Sequence, residues 1–255
     1  MKPVYVRGVG FWSTGYASPK AWCARDFDAE VTGPEASLLT GALRRRATPL
    51  TRMGIEVLQQ AARMGDADPT GLSSVWATAH GEHSMAIGLL EMMQQGEGKL
   101  SPTKFHNSVH NTASGYASIA TGNRSPSTTL TGGAELVASA IIEAACMLDA
   151  WNRDVMVVIA DEPLLPPFDL PDSRVPLALS LLLTSRPEGA MSVLSGLRRA
   201  SVEPVAPHPP FGPLHVAAGL PLFEHIVEQR PGTVALAFDA GPDVPIWCLD
   251  HDTVG

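Results

Sequence analysis

The sequence predicts a layered α/β fold, because strand-like segments alternate with helical periodicity from residue 3 to about residue 160. Val4–Phe11 mixes valines with aromatic residues, as strands do. Thr48–Met64 opens with a threonine–proline start signal and then repeats apolar residues at helical spacing. Asp154–Ala160 is a continuous apolar run of the kind found inside parallel sheets. These three observations together indicate a sheet covered by helices.

The same patterns place the intervening elements. They predict a strand at Ser74–Ala79, a helix at His83–Gln95, a loop leading into a short helix within Lys104–Gly122, a strand at Ser127–Thr131 and a helix at Ala134–Ala150. The methionines of His83–Gln95 are typical of a helix that fills a core.

The composition of the sequence changes after residue 162, where prolines become frequent. Pro163–Asp172 contains too many prolines for regular structure. Beyond it, the patterns predict adjacent strands at Leu177–Thr184 and Met191–Leu197 joined by a hairpin-like connection, a helix at Leu214–Gln229 that restarts at Gly219–Pro221, and strands at Thr233–Phe238 and Val244–Leu249. We therefore expect a single domain over residues 1–255.

Composition limits the partners and the compartment. The 255 residues carry 18 Lys+Arg against 26 Asp+Glu, a formal charge of −8, which disfavours nucleic acid and anionic membranes as partners. The three cysteines, Cys23, Cys146 and Cys248, are far apart and form no Cys-x-x-Cys pair. The N-terminal apolar run is short and interrupted by glycine, and no apolar stretch approaches the ~20 residues of a spanning helix. These features predict a cytoplasmic protein without disulfides.

Several residue patterns suggest other chemistry only weakly. His80, Glu82 and His83, with His106 and His110, offer metal-ligand types without metal-ligand spacing, so no metal is expected. Gly8-Val-Gly10 lacks the third glycine of a dinucleotide site and reads better as close strand packing. Ser114, Ser118 and His110 occur without the Gly-x-Ser-x-Gly turn of many serine hydrolases.

The segment from Asn107 to Glu162 resembles the central part of β-ketoacyl synthases, which have the thiolase fold. The matching residues are the turn Thr131-Gly132-Gly133, the helix Ala134–Ala150 and the turn Ala160-Asp161-Glu162. The resemblance implies a thiolase-like fold with a mixed, mostly parallel sheet covered by helices. It also implies a division into an N-terminal half, residues 1–162, and a reduced C-terminal part, residues 163–255.

The resemblance also implies that the catalytic nucleophile is missing. In active ketosynthases a cysteine stands at this turn, at the start of a helix whose dipole stabilises the thiolate. Position 133 is glycine here, and the two histidine motifs of the family's second half are absent. The chain therefore resembles chain-length factors, the inactive partners of catalytic ketosynthases, and in particular the small ketosynthase-like proteins of aryl polyene and xanthomonadin-type pigment clusters.

That resemblance implies a role for three segments. The strand Ser127, Thr128, Thr129, Leu130 and Thr131 is expected to pair with a catalytic ketosynthase subunit. The preceding loop is expected to wall the partner's acyl pocket through Phe105, His106, Asn107, His110 and Asn111. The run Arg44, Arg45 and Arg46 is a candidate docking patch for an acidic acyl carrier protein, although a solvated helix entry is the alternative.

The expected function is therefore that of a non-catalytic subunit, without cofactor or metal, in polyketide, aryl polyene or fatty-acid-type chain elongation. Two alternatives remain open. One is a stand-alone acyl-transferring or hydrolytic enzyme with a nucleophile other than cysteine. The other is a homodimer that binds an acyl carrier protein without any ketosynthase partner.

Overall fold

A computed structural model describes residues 1–96, 101–238, 241 and 244–254 of the chain. These residues form one eight-stranded sheet with helices on both faces, which confirms the predicted layered α/β fold. The strands are β1 (Val4–Ser13), β2 (Ser73–Thr78), β3 (Ser127–Thr131), β4 (Val155–Asp161), β5 (Leu177–Thr184), β6 (Ser192–Ala200), β7 (Gly232–Ala235) and β8 (Ile246–Thr253). The helices are α1 (Pro19–Cys23), α2 (Gly41–Arg46), α3 (Pro49–Met64), α4 (His83–Gln95), α5 (Pro102–His106), α6 (Thr112–Thr121), α7 (Leu136–Trp151) and α8 (Leu220–Val227), with a 3₁₀ helix at His215–Gly219 before α8.

The sheet order is β3-β2-β4-β5-β1-β6-β8-β7. Only β3 with β2 and β2 with β4 are parallel among the described pairs, and the other neighbours are antiparallel. The sheet is mixed as expected, but the expectation that it is mostly parallel is wrong. A continuous apolar strand such as β4 indicates that both faces of the sheet are buried, and helices do cover both faces here. This burial does not depend on whether the neighbouring strands are parallel or antiparallel, so the apolar pattern could not predict strand direction.

The two strands expected to form a hairpin, β5 and β6, are not neighbours. β1 lies between them and pairs antiparallel with each. The connection instead passes over the end of β1, where the N–H of Met191 donates to the carbonyl of Val6 at 2.8 Å. Short turn-like connections suggest sequential pairing, but here the longer β1 supplies the better partner for both strands. Because β5 also lies between β4 and β1, strands from before and after residue 162 form one continuous sheet.

Two apolar cores flank the sheet. On one face α3 packs against β1, β4 and β5, and α6 packs against α3. On the other face α7 packs mainly against β2 and β4, the 3₁₀ helix against β4 and β5, and α8 against β7 and β8. Gly8 and Gly10 allow α3 to approach β1: a Cβ at either position would lie 2.2 Å from the carbonyl oxygen of Ala61 or Val57. The interpretation of these glycines as packing residues is confirmed.

Most predicted elements lie where they were expected. The Thr48 hydroxyl caps α3 by accepting a hydrogen bond from the N–H of Thr51 at 3.0 Å. The predicted restart after Gly219 is the junction between the 3₁₀ helix and α8. α1 and α2 lie between β1 and α3, where no helix was predicted, and β7 is shorter and β8 longer than predicted. No helix among the described residues is long and apolar enough to span a bilayer.

Candidate functional site

The turn between β3 and α7 is the predicted position of the missing nucleophile. Gly132 and Gly133 are exposed there, and Gly133 precedes the first residue of α7 by three positions. A Cβ built on Gly133 would meet no backbone atom within 4 Å, and its nearest neighbour would be Nε2 of His215 at 3.8 Å. The site therefore has room for a side chain, and an imidazole faces that room.

His215 belongs to a group of three imidazoles beside this turn. The His80 ring centroid lies 6.1 Å from that of His215 and 6.4 Å from that of His83. Sequence reasoning placed His215 on a helix and did not connect it with Gly133. The three imidazoles come from the turn after β2, the first residue of α4 and the first residue of the 3₁₀ helix, so no local motif could have connected His215 with the other two.

Beneath the imidazoles lies the fully buried Asp161 at the end of β4. Its carboxylate accepts hydrogen bonds from the Thr78 hydroxyl, from the N–H of Ala79 at 2.7 Å and from the N–H of His80 at 3.1 Å. These bonds fix the turn that carries His80 and connect the ends of two neighbouring parallel strands. Asp161, which was predicted to lie in a turn after a strand, thus holds the His80 turn in place by hydrogen bonds.

Burial governs the ionisation of this cluster. It raises the pKa of Asp161 to about 6 and the pKa of Glu162 to about 7, with Asp161 adding to the shift of Glu162. Burial also lowers the pKa values of His80, His83 and His215, and for His80 the other two imidazoles lower it further. At neutral pH the three imidazoles are therefore mainly neutral.

The serine hydrolase alternative finds no support in the geometry. The Ser114 hydroxyl donates to the Asn111 carbonyl and the Ser118 hydroxyl to the Asn123 carbonyl, and among the described contacts neither bonds to a histidine. The Ser192 hydroxyl does lie 2.9 Å from Nε2 of His251. Both residues are buried, and the other nitrogen of His251 faces the backbone carbonyl of Arg230, so this pair joins β6 to β8 away from any substrate.

Within the part of the chain that the structure describes, no three His, Cys, Asp or Glu side chains are arranged to hold a metal ion. Nε2 of His83 lies 3.1 Å from the carbonyl oxygen of Pro163. His106 ends α5, and its ring centroid lies 6.1 Å from that of Tyr116 on α6.

The predicted interface strand β3 lies at an edge of the sheet. It pairs with β2 on one side and with no described strand on the other. Ser127 and Thr131 are exposed, Thr128, Thr129 and Leu130 are half-buried, and the hydroxyls of Thr129 and Ser114 lie 3.1 Å apart. An unpaired strand edge is a template for pairing with another chain.

An apolar surface accompanies this edge, formed by α4, α5 and α6 with the loop that follows α5. We call it the α4–α6 face. Its side chains are exposed by 42 to 64% and comprise Leu90, Met93, Phe105, Val109 and Ile119. α4 was expected to fill a core, and this expectation is wrong. Only His83 and Leu89 are buried among the residues of α4, so most of the helix lies at the surface.

The predicted acyl-pocket wall divides into two classes. Phe105, His106, His110 and Asn111 are exposed. Asn107 is buried: its amide N–H donates to the Arg46 carbonyl at 2.7 Å and its oxygen accepts from the Tyr116 hydroxyl at 3.1 Å. Asn107 therefore connects α2 to α6 inside the chain and does not face a partner.

The arginine run lies on α2, and all three side chains are exposed. Arg44 differs from the other two because its guanidinium donates to the backbone carbonyls of Glu35 and Ala36 and so holds the preceding loop. Arg45 and Arg46 form no ion pair with any described carboxylate. Through Asn107, which follows α5, this patch adjoins the helix that bears Phe105.

The family model for β-ketoacyl synthase N-terminal domains matches residues 19–208. A sequence search among curated proteins gives no match. Among solved structures, the chain is similar to a ketosynthase (ApeO) in complex with its chain length factor (ApeC) from Xenorhabdus doucetiae, with 19% identity, a TM-score of 0.68 and coverage of 99% of this chain and 100% of that chain.

Two further solved structures share the fold. One is AntDE:AntF, a type II polyketide synthase acyl-carrier protein in complex with its ketosynthase bound to the hexaketide, with 12% identity and a TM-score of 0.74. The other is the ishigamide ketosynthase/chain length factor, with 12% identity and a TM-score of 0.71. In both cases the alignment covers 100% of each chain.

Proposed function

This chain belongs to the family of β-ketoacyl synthase N-terminal domains, and we propose that it is the non-catalytic, chain-length-factor-like subunit of a heterodimer. Its partner is a catalytic ketosynthase that extends an acyl chain on a carrier protein, in polyketide, aryl polyene or fatty-acid-type synthesis. The observation that carries the proposal is Gly133, which leaves the nucleophile turn of a ketosynthase fold without a side chain.

The α4–α6 face and the open edge of β3 support the partner. Large apolar side chains that stay exposed cost free energy in water, and obligate interfaces are apolar for that reason. β3 adds a row of free backbone groups beside the apolar surface. A subunit that contributes sheet pairing and apolar contact to a catalytic partner accounts for both features.

The same features bear on the alternative of a homodimer. A homodimer that binds a carrier protein would use the same edge, so subunit composition decides between it and the heterodimer. Co-expression with ketosynthases encoded near its gene, followed by mass measurement of the purified complex, separates a 1:1 heterodimer from a homodimer. Recovery of only a homodimer in the presence of every candidate would contradict the proposal.

We further propose that the heterodimer works in the cytoplasm. The three cysteines remain free thiols, and Cys146 is exposed, which suits a reducing compartment.

Phe105 is the proposed end wall of the partner's acyl pocket. Phe105 lies near the end of α5 and is 63% exposed in the isolated chain. We expect Phe105→Ala to lengthen the product of the reconstituted heterodimer by at least one extension unit and Phe105→Trp to shorten it, because the ring sets the available depth. Mass spectrometry of the products measures this.

The matched control for Phe105 is Phe168→Ala, since Phe168 is 61% exposed but lies outside the predicted wall. The product distribution of this control should equal that of the wild type. An unchanged distribution in both Phe105 variants, with the heterodimer intact, would exclude Phe105 from the pocket.

Arg45 and Arg46 are the proposed contacts for the acidic carrier protein. Replacing both by alanine should weaken carrier association about three- to tenfold at low salt and leave the midpoint of thermal unfolding unchanged, because exposed unpaired arginines add little to stability. The difference should disappear at high ionic strength, where surface charges are screened.

Arg44→Ala serves as the internal comparison for this pair. It should lower the unfolding midpoint, since it removes hydrogen bonds to two loop carbonyls, but change carrier affinity less than the double variant. If the double variant instead loses stability while carrier affinity is unchanged, the patch is structural.

A further inference from the structure

We propose that Glu82 is a protonation-controlled latch that holds the start of α4 against the start of α3. Loss of its proton loosens α4 and with it the α4–α6 face. The pH response of α4 involves only residues of this chain. Its effect on ketosynthase binding at the α4–α6 face rests on the proposed function.

The contacts of Glu82 define the latch. Its side chain is 3% exposed, and its Oε1 accepts hydrogen bonds from the Thr48 hydroxyl at 2.7 Å and the Thr51 hydroxyl at 3.2 Å. Thr48 is the N-cap of α3, and Glu82 is the residue immediately before α4. One buried carboxyl therefore joins the first turns of two helices.

The surroundings of Glu82 contain no compensating cation. Among the described residues, Glu82 forms no ion pair, and the acidic group that acts on it is Glu162, which follows β4. The titratable groups around this end of the sheet are His80 and His83 from its own turn, Asp161 and Glu162 from β4, His215 from the 3₁₀ helix and His110, whose Cβ lies close to Gly81. The imidazoles of His80, His83 and His215 are mainly neutral at neutral pH, because burial lowers their pKa values. The described hydrogen bonds to the Glu82 carboxyl come from the two threonine hydroxyls.

The electrostatics follow from this burial. Burial, with a smaller contribution from Glu162, raises the pKa of Glu82 to about 7, although the hydrogen bonds from the two threonines act in the opposite direction. When α4 lifts away, the carboxyl returns to water and to its ordinary pKa of 4.5. The docked state therefore holds its proton more tightly than the open state, so docking weakens as the pH rises from about 4.5 to 7 and stays constant above that range.

α4 is suited to respond because little else holds it. Apart from its first residue, Leu89 is its one buried side chain. An element with few buried apolar contacts opens locally at low cost, so a change at its N-terminus alters its opening equilibrium before it affects the core.

Hydrogen exchange of the α4 amides on the whole chain tests the proposal. After correction for intrinsic exchange, the opening constant of α4 should rise about tenfold between pH 6 and pH 8, the change that pKa values of 4.5 and about 7 imply. Glu82→Gln should remove this pH dependence, whereas Glu91→Gln, at an exposed position of the same helix, should retain it.

A second variant keeps the test decisive if Glu82→Gln does not fold. Glu162→Gln removes the neighbouring carboxylate and should shift the midpoint of the transition to lower pH. An α4 opening constant that does not change with pH in the wild type, or equal pH dependence in the wild type and the Glu82 variant, would overturn the latch. Neither outcome bears on whether a ketosynthase is the partner, because the measurement uses this chain alone.

Discussion

Replacing Thr129 by proline is expected to abolish co-purification of this chain with its catalytic partner. Thr129 is the central residue of β3, whose outer edge is open in the described sheet. Proline has no N–H to donate and fits poorly within a strand that is paired on both sides, as β3 would be in a heterodimer. Co-purification of tagged and untagged subunits measures the effect.

Successive N–H groups of a strand point to opposite sides, so one of two adjacent positions faces the open edge. The N–H of Ser74 donates to the carbonyl of Pro126, which in a parallel ladder directs the N–H of Thr128 towards β2 and that of Thr129 towards the open edge. Thr129→Pro should therefore lose the partner while the isolated subunit stays folded, and Thr128→Pro is the comparison at the inward-facing position. Thr129→Val is the matched control. It keeps the backbone N–H, loses only the hydroxyl contact with Ser114, and should retain the complex.

Circular dichroism of the isolated variants establishes that they are folded. If folded variants at both positions still co-purify with the partner at wild-type yield, β3 is not at the interface, and the partner-subunit proposal loses its main structural support.

The isolated chain is expected to form no condensation product, and Gly133→Cys is not expected to restore condensation. Cysteine at 133 would supply a thiol at the start of α7, with Nε2 of His215 about 4 Å from its Cβ. A single imidazole can assist the thiol, but condensation also needs groups that stabilise the thioester oxygen and the carbanion. The two histidine motifs that serve this purpose in active ketosynthases are absent from this sequence.

The expected result for Gly133→Cys is thus alkylation at residue 133 by iodoacetamide without ketoacyl product. Peptide mass spectrometry distinguishes this label from that on the exposed Cys146. Gly133→Ser is the control that fills the same space with a weaker nucleophile. Ketoacyl product from the purified wild-type chain, with acyl and malonyl carrier proteins, would show that it is an enzyme and contradict the proposed function.

The local elements of this fold could be predicted from the sequence because their causes are local. The Thr48–Pro49 start signal and the apolar spacing of α3 are properties of neighbouring residues, and α3 spans Pro49–Met64, as expected. β3 spans Ser127–Thr131 as predicted. Gly133 was also identified from sequence, because a missing side chain at a recognisable turn needs no tertiary contact to be seen.

The sequence by itself determined most of the segments that form strands and helices, and that glycine stands at position 133. Only the tertiary structure decided which strands are neighbours, that α4 is exposed, that Asn107 faces inward and that His215 lies beside Gly133. The physical reason is that apolar periodicity records whether a residue is shielded from water, but not which distant segment shields it. β1 between β5 and β6, and His215 beside a turn some eighty residues earlier, are long-range pairings that depend on the free energy of the whole packed chain.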